Sequence, residues 1–158
     1  MAGNRWLVDE MLGRLARYLR FVGQDAEYVR DLDDDEIVAR SKSERRVLLT
    51  RDRRLARRVA PSLLLTQVHI ADQFREMRSA YPDLPAQVTF ERCSLCNQVL
   101  VGFRPEPGAA WPESVPDHVT REGKPVYRCP GCGHLYWEGS HTARIRAQLA
   151  AWASPGFR

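Results

Sequence analysis

Between Arg5 and Ala80 four short apolar runs alternate with four helical segments, and this rhythm restricts the fold more than any other feature of the chain. Arg5–Val8, Ala26–Val29, Val47–Leu49 and Leu63–Leu65 have the length of buried strands, not of helices. Helices are expected over Glu10–Val22, roughly Glu36–Ser43, Arg53–Val59 and Asp72–Ala80. In the first of these, Met11, Leu12, Leu15, Leu19 and Val22 form an apolar face, while Arg14, Arg17 and Arg20 line a different side. Gly23 follows as a left-handed stop, and Pro61 ends the third helix. Strand–helix alternation at this spacing predicts βαβ units and an α/β fold with a doubly wound parallel sheet.

The texture changes at Tyr81-Pro-Asp-Leu-Pro85, so residues 1–84 are expected to form the first domain. From 87 to 141 short strands, prolines and glycines surround two cysteine pairs, Cys93-Ser-Leu-Cys96 and Cys129-Pro-Gly-Cys132. Two CxxC pairs are the pattern of a Cys₄ zinc ribbon, each pair forming one knuckle on a shared tetrahedral ion. The long segment between the pairs is no obstacle, because loop-closure entropy grows slowly with length. So small a segment can hardly bury a core of its own, so zinc bound by Cys93, Cys96, Cys129 and Cys132 is expected to supply much of its folding energy. With every position taken by sulfur, the zinc is structural. Residues 142–158 complete the chain as a helix and tail, with Ile145, Leu149 and Trp152 on one side.

Acids follow the predicted strands. Asp9, the Asp33–Asp35 cluster and Asp52 each stand after one, and in an open parallel sheet ligands bind outside the carboxyl ends of the strands. Carboxylates gathered at one edge repel one another unless a cation joins them, and hard oxygen ligands suit Mg²⁺ or Mn²⁺. Such a site activates water for attack on a phosphodiester. The same acids also precede helices, where an aspartate caps the first turn and meets a favourable dipole. Both readings stay open on sequence alone.

Two stretches settle on one family. VDEMLGRLARYLRFVGQDAEY, followed by DDEIVARSKSERRVLLTRDRRLA, closely resembles the PIN-like RNase domain named after the C-terminal part of the Mut-seven exonucleases. Arg92-Cys93-Ser-Leu-Cys96-Asn97 and Cys129-Pro-Gly-Cys132-Gly-His-Leu-Tyr-Trp-Glu-Gly-Ser-His141 resemble the zinc ribbon that this family commonly carries. The resemblance runs from about Trp6 to His141. It implies a PIN-like fold and RNA cleavage dependent on Mg²⁺ or Mn²⁺, with Asp9, Asp34 and Asp52 as the acidic positions and Asp35 as the substitute for Asp34. Asp72 is the nearest candidate for a further acid, with helix capping as its other reading.

The expected activity is therefore metal-dependent hydrolysis of RNA, with Arg14, Arg17, Arg51 and Arg53 steering phosphates. Arginine suits bidentate phosphate contacts, and lysine occurs only at Lys42 and Lys124. Tyr136, Trp137 and His141 combine stacking surface with an imidazole, which suits an unstacked RNA base; their other reading is packing of the ribbon for the aromatics and a helix cap for His141. Two rival functions are a catalytically silent RNA- or ribosome-associated binding protein and a toxin-like PIN nuclease. No apolar run approaches the ~18 residues of a membrane span, and the first residues lack a signal-peptide core, so a cytoplasmic protein is expected.

Overall fold

The computed structural model describes residues 3–155, so the outermost ends of the first and last expected segments lie outside the described residues. Strands β1 (Arg5–Val8), β2 (Asp25–Tyr28), β3 (Val47–Thr50) and β4 (Ser62–Leu64) form one parallel sheet in the order β2-β1-β3-β4. The fold is mixed α/β, as the alternation predicts. Helices α1 (Gly13–Phe21), α2 (Asp34–Glu44), α3 (Arg53–Arg58) and α4 (Ile70–Ala80) connect or follow the strands. A short 3₁₀ turn over Glu10–Leu12 takes the start of the expected first helix, with Asp9 capping it.

Because side chains alternate along a strand, the sheet buries two faces. Trp6, Val8, Val47 and Leu49 point to one side and meet Leu15 and Leu19 of α1, with Phe74 and Met77 of α4. Leu7 and Leu48 point to the other side, against Ile37 of α2 and Leu55 of α3. Near-continuous apolar strands are what this double coverage demands.

The remainder carries a second, antiparallel sheet: β5 (Val101–Gly102), β6 (Val126–Arg128) and β7 (Leu135–Trp137). A one-turn helix α5 (Asp117–Arg121), which the sequence pattern did not suggest, buries Val119 against Val115 and Val126. Helix α6 (Ser140–Ala153) then returns to the first sheet. Its Ile145 and Leu149 join the α1–α4 core, Gln148 accepts a hydrogen bond from the Tyr18 hydroxyl at 2.7 Å, and Trp152 packs 4.7 Å from the Tyr18 ring. Among the described residues no helix is long and apolar enough to cross a membrane.

The two sheets are joined at the amino-terminal edge of β2. Arg20, on the arginine side of α1, is buried, and its guanidinium donates to the carbonyls of Ala26, Ser94 and Leu95. Asn97, in left-handed backbone (φ 68°), accepts from the Ala26 amide at 3.0 Å and donates to Asp25 at 2.8 Å. Asp25 also meets Arg5, Arg46 and Arg92. Burial would raise the Asp25 carboxyl, but hydrogen bonds from Arg46 and Asn97 and the charges of Arg46 and Arg92 bring it down to about 2.

A depressed carboxylate contributes stability above its unfolded value of 3.8 and loses it as the pH falls through the folded value. The stability gap between wild type and Asp25→Asn should therefore narrow by about 2 kcal/mol on acidification across that window. Urea unfolding of both proteins over a pH series measures it. A gap independent of pH would show that Asp25 is not held as a carboxylate by this network.

Candidate functional site

The strand order reverses between β1 and β3. The chain goes from β1 to β2 on one side and returns to β3 on the other, which makes the carboxyl ends of β1 and β3 a topological switch point. Asp9 and Asp52 stand there. Asp9 extends the sheet ladder by donating its amide to Leu49 at 3.0 Å, which fixes its backbone beside Thr50. One carboxylate oxygen, Oδ1, accepts from the Glu10 amide at 2.8 Å, and the other accepts from the Thr50 hydroxyl at 2.7 Å. Thr50 is fully buried, and its oxygen in turn accepts from the Asp52 amide at 3.0 Å. One threonine thus orients the first acid through its side chain and the second through its backbone.

Asp52 caps α3: Oδ1 accepts from the amides of Arg54 and Leu55 at 2.7 and 3.1 Å. Its Oδ2 makes no hydrogen bond to any described residue. The capping reading is thus realised, and it occupies only one of the two oxygens. Each oxygen of Asp9 accepts one bond and keeps lone-pair capacity. The donor set fits a hard cation, since Mg²⁺ is commonly held by one or two carboxylates and completes its shell with water and phosphate oxygens.

The other expected acids sit differently. Asp33 caps α2 in a reciprocal capping box with Glu36. Asp34 faces Arg58 at 3.8 Å, and Asp35 also pairs with Arg58. Asp72 lies in the first turn of α4 and binds Arg75 at 2.8 Å. Arg14, Arg17 and Arg53 are exposed, and Arg51 is half-buried, its buried Nε without a hydrogen-bond partner among the described residues. His141 does not cap α6; the turn is closed by the Gly139 amide and the Thr142 hydroxyl, and the His141 ring lies 6.3 Å from Phe21. Thr50 was not among the sequence candidates; it meets Asp9 because Val8 pairs with Leu49, which puts the next residue of β3 beside the acid.

Among the described residues, one group of three or more metal-capable side chains has its ligand atoms within 4.8 Å of one another: Cys93, Cys96, Cys129 and Cys132. The knuckles are shaped by backbone bonds, Asn97 amide to Cys93 carbonyl and Gly133 amide to Cys129 carbonyl, both 2.9 Å. Sulfurs of Cys93 and Cys132 lie 3.6 Å apart, and those of Cys96 and Cys129 3.3 Å. These spacings are far beyond a disulfide and near the roughly 3.8 Å that four Zn–S bonds impose on a tetrahedron. Burial would raise the Cys93 thiol, but hydrogen bonds, with that of the Tyr136 hydroxyl the largest, bring it down to about 7. Burial pushes Cys96 up to about 12, and its neighbouring thiols add to this. Four thiolates here need a cation to coexist, and the sulfur set fits a structural zinc.

A sequence model described as the Mut7-C RNAse domain matches residues 4–149. No curated protein and no solved structure matches the chain.

Removal of zinc should act on one half of the molecule. A strong chelator is expected to release about one zinc per chain and to abolish amide protection from Cys93 to Trp137, while β1 and β3 stay protected. Hydrogen exchange with mass spectrometry reads both regions at once. Retained protection around β6 and β7 after complete zinc loss would contradict the structural role of the four cysteines.

Proposed function

The chain belongs to the Mut7-C RNAse domain family, and we propose that it hydrolyses RNA phosphodiesters at the carboxyl ends of β1 and β3, with Mg²⁺ or Mn²⁺ held by Asp9 and Asp52. The observation that carries this reading is the Asp9–Thr50–Asp52 linkage at the switch point of the sheet. The buried threonine satisfies its own hydroxyl in this way and at the same time fixes two acids that follow neighbouring strands.

When bound, the cation supplies an activated water and neutralises charge that develops on the phosphate. The chain's part is preorganisation. Thr50 fixes the rotamer of Asp9, and the α3 cap fixes Asp52, so neither acid has to be ordered when substrate arrives. Arg53, exposed beside Asp52, and the half-buried Arg51 carry fork-shaped guanidinium groups suited to phosphates next to the scissile bond. Arg14 and Arg17 extend positive charge along α1. Asp34, half-exposed and 3.8 Å from Arg58, is the further acid expected beside this pair. The amino-terminal edge that carries the cysteines is the opposite end of the sheet, so zinc takes no part in the reaction.

Two substitutions test the proposal together. Asp52→Asn keeps the shape and the capping oxygen but removes the charge a hard cation needs, so cleavage should fall to background with the melting temperature nearly unchanged. Thr50→Val removes only the orienting hydroxyl, and a loss of about 10- to 100-fold is expected. Rates are measured on total RNA under saturating Mn²⁺. Wild-type cleavage by Asp52→Asn would exclude the metal-site reading.

A further inference from the structure

The zinc-bearing segment and the first sheet's helices enclose a cavity of about 410 Å³, which lies within the usual range of ligand pockets. Three of the chain's four histidines line it: His118, His134 and His141. Phe90, Tyr136 and Trp137 add aromatic wall, and Arg17 stands at its side. No carboxylate is among its lining residues. Arg17 has no ion-pair partner among the described residues; its guanidinium sits 5.7 Å over the Phe21 ring.

We infer that this cavity receives one unstacked base of single-stranded RNA, a subsite separate from the acid edge that rests on the RNA-cleavage reading. Aromatic faces and imidazoles are the surfaces on which splayed bases stack, and a neighbouring arginine without an acid serves the adjoining phosphate. The route is built into α1. Arg14 and Arg17 are three residues apart on one face of α1, which follows the 3₁₀ turn capped by Asp9 and ends at the cavity with Phe21. Gly13 to Phe21 spans roughly 12 Å at the helical rise, a distance of a few nucleotides.

The zinc site sets the wall of this cavity. The Tyr136 hydroxyl lies 3.1 Å from the Cys93 sulfur and accepts from the Ser94 amide at 3.1 Å, so the first knuckle holds the Tyr136 ring in place. His134 packs edge-on against that ring at 4.7 Å. A metal remote from the acids therefore acts on substrate by shaping where a base can sit.

The test uses the full zinc-loaded chain carrying Asp52→Asn, so that cleavage does not consume the probe. Single-stranded RNA of roughly twelve nucleotides, with one 4-thiouridine moved along it, is photo-crosslinked and the attached peptides are identified. Crosslinks to 88–92 or 134–141 in one narrow register are expected. Replacing the exposed pair His118→Ala and His141→Ala should weaken single-strand affinity about tenfold and leave a duplex of the same sequence unaffected. Zinc content and melting temperature check that the variant is folded. Crosslinks confined elsewhere with unchanged affinity would overturn the inference, as would equal weakening for the duplex. Because the readout is binding, the cavity can fail while cleavage at the acid edge stands, and the reverse.

Discussion

A parallel sheet ends in strands whose outer backbone groups need partners, and β2 is such an edge. Here the need is met by one side chain from the zinc-bearing segment: the Asn97 carboxamide accepts from the Ala26 amide and donates to Asp25. Asn97 reaches them because the knuckle after Cys96 turns through left-handed backbone, a conformation asparagine tolerates better than most residues. Arg20 completes the joint from beneath, donating to carbonyls on both sides of it. The second sheet, helix α6 against α1 and α4, and the cavity lined by both parts lie around this joint.

The molecule is thereby polarised along its strands. Charges at the amino-terminal edge are paired and serve cohesion: Asp25 with Arg46, Glu44 with Arg46, and both arginine and asparagine from the knuckle. At the carboxyl edge the acids are oriented but keep unshared oxygen capacity, with the exposed Arg53 nearby. A polar group that is fully satisfied stabilises; one that is fixed yet incompletely satisfied is available to a ligand. Helix α1 spans the two edges, which is why arginines on its exposed side link the proposed reaction centre to the zinc-shaped cavity.

Much of this was legible beforehand because period and chemistry agreed. The apolar runs around Leu7 and Leu48 announced strands buried on both faces, and the paired cysteines announced a metal knuckle. Asp9 and Asp52 were readable as strand-end acids, though not that Thr50 joins them, since that bond depends on β1 and β3 being adjacent. The burial of Arg20 was not legible for a related reason. Helical periodicity marks a face as polar, but only tertiary packing decides whether that face meets water or a neighbouring backbone. Helix α5 escaped because a single turn held by Val119 has too few residues to show a period.

The central claim is that a divalent cation and the substrate meet at Asp9, Thr50 and Asp52. Its most direct test is a substoichiometric Mn²⁺ titration of the zinc-loaded protein followed by amide NMR, since paramagnetic broadening reports proximity without requiring turnover. The account predicts that the amides of Asp9, Glu10 and those from Thr50 to Leu55 broaden first, and that Asp52→Asn abolishes the effect. Broadening centred on the Asp34–Arg58 pair or the cysteine knuckles, with Asp9 and Asp52 untouched, would contradict it.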